Sequence, residues 1–150
     1  MTVEFKILSV NISKNKGNIK VPVNEIIINS KGIVNDAHSG DWHRQLSILG
    51  KESFDKFAEE TGRTVNFGEF AENITTEGFE LTKVSLSDRF KVGSVELEVT
   101  QIGKECHGNS CAIFRETGKC VMPGEGIFCR VITPGKIKKG DTMIYYAKSF

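Results

Sequence analysis

Arg89-Phe90-Lys91-Val92-Gly93-Ser94-Val95-Glu96-Leu97-Glu98-Val99-Thr100-Gln101-Ile102 is the stretch on which the fold turns. Apolar Val95, Leu97 and Val99 alternate with Glu96, Glu98 and Thr100. Only a strand sends every second side chain to one side, so this spacing predicts a β-strand with one buried and one wetter face. Phe90 and Val92 precede it across Gly93-Ser94, a connection short enough for an antiparallel hairpin.

The same signals recur outward from this hairpin. Val3 to Val10 alternates well enough for a strand, and Asn15 to Asn18 around Gly17 reads as a turn. A second extended stretch runs through Val21, Val23 and Ile26 to Ile28; Pro22 puts its start at a sheet edge, and Lys31-Gly32 closes it. Phe128 to Ile132 and Met143 to Tyr146 read as two more strands, with Pro134-Gly135 and Lys139-Gly140-Asp141 between them. The clearest helix is Lys51 to Thr61: Phe54, Phe57 and Ala58 form an apolar stripe, Glu52 and Asp55 suit the dipole at its start, and Gly62 stops it. A polar, glycine-containing loop follows from Asn66 to Asn73. Between Ile102 and Phe128 lies an insertion with three of the four cysteines and one expected helical turn near Ala112 to Glu116. Short strands, frequent turns, one good helix and no βαβ alternation predict a mainly β (α+β) chain, a barrel or sandwich with helices added.

The chain has 150 residues, enough for one domain over residues 1–150 that buries a core without disulfide staples. Its net charge of +1 gives no overall field to gather nucleic acid or an anionic membrane. Lys14, Lys16 and Lys20, and again Lys136, Lys138 and Lys139, read as solvated turns. Met1-Thr2-Val3-Glu4-Phe5-Lys6 lacks the apolar centre of a signal peptide, and no apolar run approaches membrane-spanning length. A cytoplasmic protein is expected, with cysteines that read as metal ligands, redox groups or nucleophiles before disulfides.

Two clusters could carry chemistry. Asp36-Ala37-His38-Ser39-Gly40-Asp41-Trp42-His43-Arg44-Gln45 crowds donors, acceptors and the only tryptophan between two apolar segments. It reads either as a loop lining a polar-ligand pocket or as a solvated loop whose histidines bond locally. Gly103-Lys104-Glu105-Cys106-His107-Gly108 follows the central strand. Lys104 and His107 offer positive charge that favours a thiolate at Cys106, and Glu105 opposes it; the cysteine is a nucleophile or an unreactive loop residue. Cys106, Cys111 and Cys120 with His107 make a weak zinc pattern, lacking a second close pair. Cys129, within an apolar strand, reads as a small buried hydrophobe.

Taken together, these segments resemble the MOSC family, the domain named after the C-terminal part of molybdenum cofactor sulfurases. The resemblance rests on Asp36-Ala37-His38 with His43-Arg44-Gln45-Leu46-Ser47, on Glu72-Asn73-Ile74-Thr75-Thr76-Glu77-Gly78, and on Val99 to His107. A fourth stretch, Cys120 to Phe128, is similar to the small bacterial branch associated with molybdenum cofactor biosynthesis. In order, they cover roughly Val3 to Tyr146. The resemblance implies a MOSC-type β-barrel and a functional role for Cys106.

In the sulfur-carrier role, a pyridoxal-phosphate cysteine desulfurase loads Cys106 with a persulfide, which then sulfurates the metal centre of a molybdoenzyme or a cofactor-biosynthesis protein. Pyridoxal phosphate would belong to that partner. Lys104 and His107 would tune the thiolate, while His38, His43, Arg44 and Gln45, with Asn73 and Thr75, would hold molybdopterin. In other members of the superfamily the cysteine ligates molybdenum and the domain reduces N-hydroxylated compounds, which makes Cys106 a candidate metal ligand. A non-enzymatic zinc module through Cys106, His107, Cys111 and Cys120 is the third reading. The chain departs from the family pattern at Asn35 and Ala71, where many relatives have glycine, and at Ser87-Asp88-Arg89, which replaces Gly-Asp-Arg.

Overall fold

The computed structural model describes residues 2–15, 19–103 and 125–148. The expected turn at residues 15–18 lies largely outside them, and so do the helical turn near residue 112, Lys104, Cys106, His107, Cys111 and Cys120.

Eleven strands and one α-helix are formed by the described residues: β1 (Thr2–Ile12), β2 (Val21–Val23), β3 (Glu25–Asn29), β4 (Gly32–Ile33), β5 (Leu46–Gly50), α1 (Lys51–Thr61), β6 (Ile74–Glu77), β7 (Arg89–Val92), β8 (Val95–Ile102), β9 (Ile127–Thr133), β10 (Gly135–Lys138) and β11 (Thr142–Tyr146). Seven of them close a barrel in the order β7-β8-β9-β5-β6-β1-β11, with β11 returning to β7. Closure depends on the length of β1. Its first residues pair with β11, from Thr2 opposite Tyr146 to Lys6 opposite Thr142. Its middle pairs with β6 and its end with β2. β2 is the edge strand that Pro22 implies. β10, β3 and β4 form a separate small sheet whose Ile26, Ile28, Ile33 and Ile137 join the barrel core.

The hairpin is as the sequence predicts, with Phe90 opposite Leu97 and Val92 opposite Val95. Val95, Leu97 and Val99 are buried. On the other face of β8, Glu98 takes Arg89 at 3.2 Å and Arg130 at 2.9 Å, a cross-strand ladder that ties β7, β8 and β9 together. The helix spans Lys51–Thr61, ended by Gly62 at φ 73°. Its Phe54 and Phe57 pack edge-on against Phe70, and with Leu49, Val65 and Phe128 they make a second, aromatic core outside the barrel.

The structure corrects or adds to the sequence expectations at three points. β5, α1 and β6 form a βαβ crossover, with Ile48 parallel to Ile74 and Gly50 to Thr76. Ile74-Thr75-Thr76-Glu77 is too polar for its sequence alone to announce a central strand. The polar, glycine-containing loop from Asn66 to Asn73 carries an unexpected load of buried groups, Phe70, Glu72 and Asn73. Finally, Lys20 is no solvated turn residue: its side chain is wholly buried.

Asn35, Ala71 and Ser87 have φ of 68°, 66° and 74°, so the three positions that the resemblance sets against glycine all fall in the left-handed region. For alanine that conformation costs about 1–2 kcal/mol, against roughly 0.5–1 kcal/mol for the extra freedom glycine loses on folding. Ala71→Gly is therefore expected to raise stability by about 0.5 kcal/mol, read as a higher urea midpoint. A lower midpoint would show that no strain resides at Ala71.

Candidate functional site

The loop 34–45 joins β4 to β5, and buried polar bonds fix its shape. Asp36 anchors its start: Oδ1 accepts the Ser13 N–H at 3.0 Å and the Lys20 ammonium at 2.7 Å, and Oδ2 accepts the His38 N–H at 3.1 Å. Burial would raise the Asp36 carboxyl, but the Lys20 bond and charge, with the two backbone N–H groups, hold it below the ordinary carboxylate value. Lys20 Nζ also lies 3.0 Å from His38 Nδ1. Trp42 Nε1 then donates to the His38 carbonyl at 2.8 Å, folding the loop back on itself.

Gln45 closes the loop. Its Nε2 donates to the carbonyls of Ser30 and Gly40, each at 2.9 Å, and its Oε1 accepts Val131 N–H at 2.8 Å. Both donors and the carbonyl are engaged, so Gln45 clamps the loop to its neighbours.

Arg44 is placed differently. Its guanidinium lies 4.7 Å from the Trp42 ring centroid and 5.6 Å from that of Phe128, held by two aromatic faces. Its Nε is buried without a hydrogen-bond partner. Phe128 belongs to the aromatic core under α1, so the helix indirectly fixes the guanidinium. His43 is exposed, and its Nε2 meets Gln101 Oε1 at 2.9 Å; Gln101 Nε2 donates to the Gly103 carbonyl at 2.7 Å. Thr100 Oγ1 donates to the His43 carbonyl. Gly103 N–H donates to the Gly126 carbonyl at 2.7 Å, so the insertion leaves and rejoins the barrel at one point beside His43 and Arg44. Thr100, which reads as part of the wet face of the strand, and Gln101 both lie within the family-like stretch; only the fold shows them bridging to His43.

Asn73 and Thr75 are buried in a network between β1, β5 and β6. Asn73 Oδ1 accepts Ser47 N–H at 3.0 Å and its Nδ2 donates to the Asn11 carbonyl at 3.1 Å. Thr75 Oγ1 accepts Asn11 Nδ2 at 3.2 Å and donates to Glu72 Oε2 at 2.6 Å. These groups hold the strands β1, β5 and β6 together.

Glu72 itself has an unpartnered Oε1. Burial pushes its carboxyl up to about 7, with the Thr75 and Gly68 bonds offsetting part of the rise. The unfolded chain, near 4.5, then binds fewer protons than the fold between the two values, so stability falls as pH rises from about 4.5 to about 7 and stays lower above it. The shift is worth about 3 kcal/mol. Glu72→Gln removes the charge, and urea unfolding across this range is expected to lose that descending slope. An unchanged slope would mean that Glu72 does not carry it.

Cys129 is fully buried, and burial, with Glu98 nearby, pushes its thiol far up, as its strand position implies. Among the described residues no group of histidine, cysteine and carboxylate side chains could hold a metal, and no helix is long and apolar enough to cross a membrane. A groove of about 420 Å³ at the start of α1, lined by Ser53, Lys56 and Glu125 among others, shares no residue with the loop.

The described residues thus form a closed barrel with one βαβ crossover and a bonded polar loop between β4 and β5. The MOSC domain family matches residues 35–144, and the chain belongs to it. MOSC domains are associated with molybdenum cofactor-related proteins. In structure the chain is similar to the YuaD protein from Bacillus subtilis, with a TM-score of 0.82 at 17% identity over 99% of both chains. It is also similar to YiiM from Geobacillus stearothermophilus, with a TM-score of 0.73 at 23% identity over 94% of this chain and 74% of that one. YiiM from Escherichia coli gives 0.69 at 21% identity, over 98% and 71%. At these identities the likeness is one of fold. No curated protein matches the chain in sequence.

Proposed function

We propose that this MOSC domain is a sulfur carrier of molybdenum cofactor maturation, accepting sulfur on Cys106 and engaging the cofactor through Arg44 and His38. The observation that carries this reading is the guanidinium of Arg44, held by Trp42 and Phe128 with a buried Nε left unbonded. A planar fork so fixed suits the phosphate of molybdopterin, so the residues present fit that group. Cys106 follows Gly103 by three residues, and three residues of extended chain reach at most about 11 Å.

When bound, the cofactor would supply a molybdenum centre able to exchange sulfur. This chain's residues bind and orient: Arg44 grips the anion, His38 donates a hydrogen bond, and the His43–Gln101–Gly103 bonds fix the root of the insertion. For loading, the Cys106 thiolate attacks the outer sulfur of a persulfide on a pyridoxal-phosphate desulfurase. The donor's S–S bond breaks, its cysteine leaves as thiolate, and Cys106 carries the persulfide with no net redox change. Releasing that sulfur as sulfide to a molybdoenzyme or cofactor-biosynthesis protein would consume two electrons from an external dithiol.

Intact-mass measurement after anaerobic incubation with a cysteine desulfurase and cysteine tests the reading. One added sulfur, mapped to Cys106, is expected. Co-purified pterin absorbance with no added sulfur would instead indicate a cofactor-holding oxidoreductase, and stoichiometric zinc a binding module.

A further inference from the structure

The geometry points to Lys20 as the residue that fixes His38 in its Nε2–H tautomer, making the ring a permanent hydrogen-bond donor toward an acceptor oxygen of the bound ligand. The clause about the ligand rests on the reading of the site above; the tautomer does not. Lys20 Nζ lies 2.7 Å from Asp36 Oδ1 and 3.0 Å from His38 Nδ1. Its ion pair with a fully buried carboxylate keeps it an ammonium, which has three N–H donors and no lone pair. A ring nitrogen at hydrogen-bond distance from an ammonium must accept, so the proton of neutral His38 sits on Nε2.

Asp36 Oδ2 pulls the other way but weakly. It lies 3.9 Å from Nδ1, beyond hydrogen-bond distance, and already accepts the His38 backbone N–H. With Nδ1 committed to Lys20 and Nε2 protonated, the ring has no lone pair to offer a metal. In that form the ring can only donate through Nε2.

Lys20 is a positioning residue, since its side chain is wholly buried and acts through His38. Gly68 allows this placement: its carbonyl accepts Lys20 N–H at 2.9 Å, and a Cβ there would lie 2.3 Å from the Lys20 carbonyl oxygen. Gly68 also stands at φ 92°. The sequence therefore threads a lysine beneath the loop where only glycine lets the chain pass.

Long-range ¹H–¹⁵N correlation spectra of the full chain, labelled in its three histidines, read the tautomer at neutral pH. His38→Gln identifies the His38 signals by their loss. An unprotonated Nδ1 and a protonated Nε2 are expected; an Nδ1–H ring, or the averaged pair of a free imidazole, overturns the inference. In Lys20→Met the proton should move to Nδ1, facing Asp36, and an unchanged tautomer would show that Lys20 is not the cause. If burying an unpaired Asp36 prevents that variant from folding, the wild-type spectrum decides alone. No cofactor enters the measurement: the expected tautomer beside a failed molybdopterin titration would sink the reading of the site and leave the tautomer standing.

Discussion

Cys106→Ser is expected to take up no sulfur from a desulfurase while leaving the fold's thermal midpoint unchanged. A serine hydroxyl keeps the shape of cysteine but is essentially never ionised at neutral pH, and it forms neither a persulfide nor a strong bond to a soft metal. The expected effect is complete loss of the added mass. The fold should survive, because the barrel closes through β1 and β11 and the insertion is pinned at Gly103 and Gly126, on either side of the substituted residue. Cys129 cannot substitute, since its thiol is buried in β9 and held in the protonated form. Cys111 and Cys120 are the informative controls. Sulfur still loaded on either one in Cys106→Ser would show that the carrier cysteine has been misassigned.

Local patterns told most where a strand has one apolar face or a helix one apolar stripe. The β7–β8 hairpin and α1 were legible for that reason, and Gly62 marked the end of the helix because a left-handed cap suits glycine. β6 was not legible. Its inward Thr75 is satisfied by Asn11 and Glu72, partners 64 and 3 residues away in sequence, so burial here is achieved by hydrogen bonding and leaves no apolar signal. β10 was hidden for a related reason: Gly135-Lys136-Ile137-Lys138 buries only Ile137, in a small sheet made with a distant strand.

The site shows the same division. Residue types in the loop 36–45 announced polar chemistry, but composition cannot distinguish a side chain that faces a ligand from one that holds the loop. Gln45 clamps the loop, which its residue type alone does not reveal; Lys20 reads as a solvated lysine and is wholly buried beside His38. In both cases the deciding partner is another stretch of chain: Val131 for Gln45, and Asp36 for Lys20. Asn35, Ala71 and Ser87 were legible in the opposite sense, because a position that prefers glycine carries backbone information whatever residue occupies it.

Arg44→Lys should weaken molybdopterin binding almost as much as Arg44→Ala, by roughly ten- to hundredfold. Lysine retains the charge, so a site that needed only a cation would barely notice the change. What it loses is the planar fork and the flat face that packs on Trp42 and Phe128, which set the plane in which the guanidinium can offer paired bonds. The loss of a charge-assisted hydrogen bond is worth about 1.5–3 kcal/mol. An ordinary surface ion pair would be worth under about 1 kcal/mol, and no carboxylate among the described residues pairs with Arg44. Titration of molybdopterin, or of a phosphate-bearing pterin analogue, into wild type and both variants measures the difference. Phe128→Leu provides a second arm: it keeps the guanidinium but removes one of its two aromatic faces, so a smaller loss in the same direction is expected. Equal affinity in wild type, Arg44→Lys and Arg44→Ala would remove Arg44 from the site.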